Sequence, residues 1–298
     1  MYRRILIPLD GSPLAEQVLP LAKMFAARFN ATVVLFQAVA PIHQDLRVAG
    51  EIFQADEQTE LARWRAREYL ESIHQDFAAA GIIVEREVRV GAPAPSILEF
   101  AEQAEIDLIA MTTHGRTGVL HWVYGSVADK VLHGARVPIL LVRANEQSAA
   151  PKPLTRILVP LDGSELAERA LAPARQLAAE FDAEVLLLRV WETPLYGPED
   201  SPVVMEALEQ AASTNAKDYI THTACQLQAQ GVPVRGETKN GAVVESILEQ
   251  AQDSATNLIV MSTHGRSGVG RWVMGSVADG VLRVASVPVL LIRAGLAV

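Results

Sequence analysis

Cysteine is nearly absent: Cys225 is the only one in 298 residues. A lone thiol cannot close an intrachain disulfide and makes a structural zinc site improbable, as expected of a chain kept in a reducing compartment. Cys225 reads as a helix residue without chemistry. Positive charge is scarce too, with 26 Lys and Arg against 35 Asp and Glu and a formal net charge of -9. Nucleic-acid binding draws on clustered cations that neutralise phosphates, so nucleic acid is not the expected partner. No apolar run approaches the ~18 residues of a membrane-spanning helix, and the opening MYRRILIPLDGS has too few apolar residues for a signal peptide. The expectation is a soluble, cytoplasmic protein with no membrane partner. Two familiar phosphate motifs are missing as well. There is no G-x-x-x-x-G-K-[ST], and no G-x-G-x-x-G follows a strand, so a P-loop NTPase or a dinucleotide dehydrogenase lacks its sequence support.

What the chain does have, it has twice. RILIPLDGSPLAE at 4–16 returns as RILVPLDGSELAE at 156–168, and TTHGRTGVLHWVYGSVAD at 112–129 returns as STHGRSGVGRWVMGSVAD at 262–279. PSILEFAEQAEIDLIAM (95–111) answers ESILEQAQDSATNLIVM (245–261), and VPILLVR (137–143) answers VPVLLIR (287–293). The length is about twice that of one ordinary domain, and half of the residues are hydrophobic, enough for two cores. The chain therefore divides into two duplicated domains, at 1–146 and 153–298, with a linker at 147–152 inside the small, polar stretch ANEQSAAPKPLT.

Within each half the short apolar runs RILIPL, ATVVLFQA, IIVEREVRV, DLIAM and VPILLV alternate with longer helical patterns. Their length and β-branched enrichment predict strands. The fold class is therefore α/β: two doubly wound domains, each with a five-stranded parallel sheet and helices on both faces. Ser12 before Pro13, and Ser164 before Glu165, predict helix N-caps. Ligands of such sheets bind at the carboxyl ends of the strands, near the point where strand order reverses.

The repeated T-T-H-G-R-T-G segment comes directly after the strand DLIAM, so it lies at that carboxyl edge. Gly115 and Gly118, like Gly265 and Gly268, allow backbone N–H groups to turn toward an anion, and Gly125-Ser126 places a hydroxyl and amides at a helix N-terminus. Those are the parts of a phosphate cradle. A plain glycine turn with a serine N-cap accounts for a single copy equally well. The second copy keeps the glycines while changing Leu120, His121 and Tyr124, which favours the cradle. His114 and His264 stand in the loops without a partnered nucleophile, so a hydrogen-bonding role suits them better than proton transfer. Trp122 and Trp272 read as packing anchors for the loops. Arg271 answers His121, so the two sites differ in charge.

In these motifs the chain resembles a tandem universal stress protein of the ATP-binding type. That family carries G-x2-G-x9-G-[ST] after the fourth strand and an aspartate after the first. Gly115, Gly125 and Ser126 match, as do Gly265, Gly275 and Ser276, whereas Thr112 and Ser262 replace the first glycine. The resemblance covers essentially the whole chain. It implies the adenine nucleotide alpha hydrolase-like fold, with ATP as cofactor in each half and Mg²⁺ entering only with the nucleotide, and with no metal site of the protein's own. By that resemblance Asp10 and Asp162, beside Pro8, Leu9, Pro160 and Leu161, accept from the adenine amino group or neighbouring polar atoms, and the backbone near Ala38 and Val190 closes the adenine pocket. Met111, Thr112, Met261 and Ser262 face the ribose. Phosphates fall to His114, Gly115, Arg116, Gly118, Gly125, Ser126 and Val127, and to His264, Gly265, Arg266, Gly268, Gly275, Ser276 and Val277. The function implied is a nucleotide-dependent regulatory switch in the stress response, acting on an unknown protein partner. The two halves are expected to pair as an internal pseudo-dimer, with a further homodimer open. The alternatives are a slow ATPase, a nucleotidyl transferase, although its H-x-G-H histidines are missing, or a scaffold with vestigial sites.

Overall fold

A computed structural model describes residues 2–40, 52–113, 125–144, 152–193, 202–263 and 274–293. The chain divides into two compact units, Met1–Pro151 and Lys152–Val298. In the first unit the order is β1 (Arg4–Leu9), α1 (Pro13–Glu16), α2 (Leu19–Phe29), β2 (Thr32–Val39), α3 (Ile52–Ala78), β3 (Val84–Val90), α4 (Pro93–Gln103), β4 (Leu108–Thr112), α5 (Ser126–Gly134) and β5 (Ile139–Val142). The second unit repeats it as β6 (Arg156–Leu161), α6 (Glu165–Glu168), α7 (Leu171–Phe181), β7 (Glu184–Trp191), α8 (Pro202–Gln228), β8 (Val234–Asn240), α9 (Val243–Asp253), β9 (Leu258–Ser262), α10 (Ser276–Val284) and β10 (Val289–Ile292).

Strand order is β3-β2-β1-β4-β5 in the first unit and β8-β7-β6-β9-β10 in the second, with the pairs inside each unit parallel. Parallel strands covered on both faces read as unbroken apolar runs. β4 and β9 do so, with every residue buried. The serine caps form as expected: Ser12 Oγ accepts from Ala15 N at 3.2 Å, and Ser164 Oγ from Ala167 N at 3.2 Å. Each cap opens two helices rather than one, a four-residue piece and then α2 or α7. α2 ends on Asn30 and α7 on Asp182, both in the left-handed conformation that short polar side chains tolerate.

The two cores use different residues in the same frame. In the first unit Phe25, Phe36 and Phe77 are fully buried, and Phe36 packs 5.4 Å from Phe100. At the corresponding places the second unit buries Leu177, Leu188, Leu227 and Gln250. Cys225 lies exposed on α8. Among the described residues no helix is long and apolar enough to cross a membrane.

Candidate functional site

The site begins with a parting of strands. β1 pairs with β2 through to Leu9, but with β4 only at Ile5 and Leu6. β6 does the same, pairing with β7 as far as Leu161 and with β9 only at Ile157 and Leu158. Chain order leaves the central strand toward β2 on one side and toward β4 on the other, so a crevice opens at their carboxyl ends. Pro8 and Pro160, which have no N–H to give a ladder, lie in the parted stretch.

Directly after the central strand comes a tight turn. Asp10 Oδ1 accepts from Ser12 N at 3.0 Å and from Ser12 Oγ at 2.6 Å, and Asp162 repeats both bonds with Ser164 at the same distances. Gly11 and Gly163 between them have φ of +81° and +79°, a conformation that requires glycine. One carboxylate oxygen of each aspartate is thus committed to ordering the turn. Each aspartate thus serves as a turn residue ahead of the serine cap, and any ligand contact must share the carboxylate with that role.

The other wall is the end of β4 or β9. Met111, Thr112 and Thr113 are buried, as are Met261, Ser262 and Thr263. Thr113 O accepts from Gly125 N at 2.9 Å and Thr263 O from Gly275 N at 2.8 Å, so the chain returns to the strand end where it left. His114, Gly115, Arg116 and Gly118, with His264, Gly265, Arg266 and Gly268, lie outside the described residues, as do Trp122 and Trp272.

The helix start places Gly125-Ser126 and Gly275-Ser276 at a helix N-terminus, without the serine cap of the plain-turn alternative. Gly125 and Gly275 are the N-caps of α5 and α10, and Ser126 and Ser276 are the first helical residues. Neither cap residue has a side chain to place over the first-turn amides, and neither makes a side-chain cap hydrogen bond. The cap backbones, at φ -57°, ψ 144° and φ -64°, ψ 146°, are open to any residue. Glycine is therefore not demanded there by conformation. What it provides is the absence of a side chain at the crevice.

In the second unit these parts enclose a cavity of about 790 Å³, within the ~300–1,000 Å³ of ordinary ligand sites. Every described site residue expected in that half lines it: Pro160, Leu161, Asp162, Val190, Met261, Ser262, Gly275, Ser276 and Val277. In the first unit Pro8, Leu9, Asp10, Ala38, Met111, Thr112, Gly125, Ser126 and Val127 occupy the matching strand ends and helix start. The cavity also recruits residues the motifs did not point to, among them Leu188, Arg189, Glu192, Asn215 and Tyr219. Tyr219 donates to Glu168 Oε1 at 2.8 Å, as Tyr69 donates to Glu16 Oε1 at 2.9 Å. Burial and then these hydrogen bonds hold both hydroxyls well above the usual tyrosine range, so they remain donors at neutral pH. The retention of this Tyr–Glu pair in both halves was the available sequence signal. Among the described residues no three His, Cys, Asp or Glu side chains gather as a metal site.

Comparison with known proteins agrees with the duplication. The model of the universal stress protein family matches residues 1–143 and again 153–293. The chain is 24% identical over 292 residues to a universal stress protein of Mycolicibacterium smegmatis, covering 97% of this chain and 96% of that one. It is 25% identical over 301 residues to one from Mycobacterium tuberculosis, covering 98% and 97%. A universal stress protein structure from Archaeoglobus fulgidus superposes with a TM-score of 0.67 at 22% identity, over 97% of this chain and 96% of that one. At that identity the superposition bears on the fold.

Proposed function

The chain belongs to the universal stress protein family, and from that premise we propose that it is a nucleotide-binding regulatory protein with one ATP site in each domain. The observation that carries this reading is the cavity of the second domain, which gathers the strand ends, the Asp162 turn and the α10 N-terminus into one crevice. An apolar wall of Leu188, Val190 and Ile247 suits a base. At the far side, the uncapped amides of Ser276 and Val277 and the positive end of α10 suit phosphate. Gly275 keeps the approach clear. Mg²⁺ then arrives with the nucleotide, whose phosphate oxygens supply most of its coordination.

Bound ATP would alter the surface around Ser126 and Ser276, and a partner that reads that surface would sense nucleotide level. The test is mass spectrometry of nucleotide released from purified, denatured protein, with equilibrium dialysis of the nucleotide-free chain against ATP. Two ATP per chain are expected. A folded chain that carries no nucleotide and takes up none at millimolar ATP would overturn the reading.

A further inference from the structure

Two differences between the sites lie together at the carboxyl end of the strand next to the central one. β1 aligns Leu9 with Gln37, and β6 aligns Leu161 with Arg189. Three residues further on, Ala40 in the first domain answers Glu192 in the second. Arg189 and Glu192 both line the second cavity. Arg189 Nη1 donates to Leu161 O at 3.3 Å, and its guanidinium lies 5.9 Å from the centre of the Tyr219 ring. These contacts hold it beside the turn of Asp162. Glu192 stands exposed at the edge of the same cavity.

The chemistry of the two pairs differs in kind. A guanidinium offers donors only and a carboxylate acceptors only. Together they match a purine with a keto oxygen at C6 and N–H groups at N1 and on the C2 amine. An amide offers one donor and one acceptor, the complement of the amino group and adjacent ring nitrogen of adenine. Gln37 Oε1 is shielded from solvent and has no hydrogen bond among the described residues, so an incoming N–H is what it lacks. Ala40 adds no acceptor.

Resting on the nucleotide reading above, we infer that Arg189 and Glu192 make the second site accept guanine nucleotides alongside ATP, while Gln37 and Ala40 keep the first selective for adenine. The same juxtaposition places two different sensors in one chain. One would track ATP alone, and the other the pooled purine triphosphates.

The full-length chain tests this by counting sites with labelled ATP and GTP in equilibrium dialysis. The parent should bind two ATP and one GTP, with the GTP affinities of its two sites separated by roughly tenfold or more. Arg189→Gln with Glu192→Ala should abolish GTP uptake and retain two ATP. Gln37→Arg with Ala40→Glu should raise GTP uptake to two, a gain that loss of folding cannot imitate. Unfolding temperatures are recorded for all three. A GTP count unchanged by both exchanges overturns the inference. So does loss of ATP together with GTP in the folded Arg189→Gln, Glu192→Ala variant, because those residues would then be holding the site rather than selecting its base. A parent that binds neither nucleotide overturns the nucleotide reading itself, which separates the two failures.

Discussion

The two domains agree most closely in the turn that follows the central strand, and they differ at the opposite end and in the core as well as in the side chains beside that turn. The Asp-Gly-Ser turn, its two hydrogen bonds and its positive-φ glycine are the same to a tenth of an ångström or a few degrees. At the amino ends of the strands the arginine that opens the central strand is held by different partners. Arg4 forms a two-pronged bond with Glu85 on β3, whereas Arg156 pairs with Glu184 on β7, which also takes Arg235 from β8. The core differs as well. Leu188 stands in place of Phe36 at the wall of the cavity, and Gln250, which donates to Glu237 at 2.8 Å, in place of Phe100. Even the fit of long helix on outer strand differs, because a Cβ on Gly236 would collide with the Ile220 side chain, whereas the first domain carries Arg86 at that position. Surface ion pairs contribute little each and can be exchanged, and aliphatic and aromatic cores of suitable volume both fold. The turn and the glycine cap are the same in both halves, so the duplicated halves teach which features the crevice keeps.

The strongest way to break the comparison is to fill one crevice and leave the other. Gly275→Val places a branched side chain at the mouth of the second site without straining a backbone that already suits valine. It should weaken ATP binding there by about 100-fold, the equivalent of about 2.7 kcal/mol. The less favourable helix cap should cost about 0.5–1 kcal/mol of stability. Gly125→Val should do the same to the first site only. Calorimetric titration of each variant should show one site of parental affinity. Two intact sites in either folded variant would mean that the glycine caps are turns and nothing more.

A smaller effect sharpens the equality of the two turns. Gly11→Ala and Gly163→Ala each force a side chain into the left-handed region, at about 1–2 kcal/mol. At Gly11 the added Cβ meets only Gln37 Nε2 at 3.9 Å, so strain and not crowding sets its loss. Denaturant unfolding should show losses within about 0.5 kcal/mol of each other, as expected for equivalent sites. A Gly163→Ala variant as stable as the parent would show that the second turn relaxes where the first does not.

How much of the fold and the crevice is legible in the sequence depends on the range of the interactions involved. Strand positions, the serine caps and the duplication are readable because each is written in a few adjacent residues. Apolar runs of strand length mark β4 and β9, and Ser12-Pro13 marks the start of α1. The break between α1 and α2 is not readable, since Leu19 and Leu171 continue an apolar pattern across it. Serine is the commoner cap residue, which points to Ser126, yet the chain gives the place to Gly125. Arg189, Asn215 and Tyr219 reach the cavity from the middle of a strand and a long helix. No local motif marks them, and only the packing of α8 over β7 brings them to the crevice.

The smallest expected effect lies at the ends of the strands away from the crevice. Asp107 accepts from Arg3 N at 2.7 Å and Arg4 N at 3.2 Å, and in the second domain Asn257 Oδ1 accepts from Thr155 N at 2.8 Å and Arg156 N at 3.0 Å. The same backbone groups are held by a carboxylate in one domain and by a neutral amide in the other. Burial raises the pKa of Asp107 above its ordinary value, against the opposing pull of the two N–H groups and of the nearby positive charges. A raised folded pKa means that the folded state holds the proton more tightly than the unfolded one. The resulting stability is fully present below the unfolded pKa of about 3.9, and it is lost as pH rises through the folded pKa. At neutral pH the ionised group is therefore a small liability. Its partial exposure keeps that liability small, so Asp107→Asn should raise the unfolding temperature by about 1–2 °C at pH 7. The advantage over the parent should shrink as pH falls toward 4, because the parent regains its proton and the amide has none to gain. Asn257→Asp should impose the opposite trend on the second domain. Scanning calorimetry of both variants between pH 4 and pH 8 decides it. A difference that is flat with pH would show that the backbone hydrogen bonds balance burial at Asp107, and one that grows toward acid would show that they outweigh it.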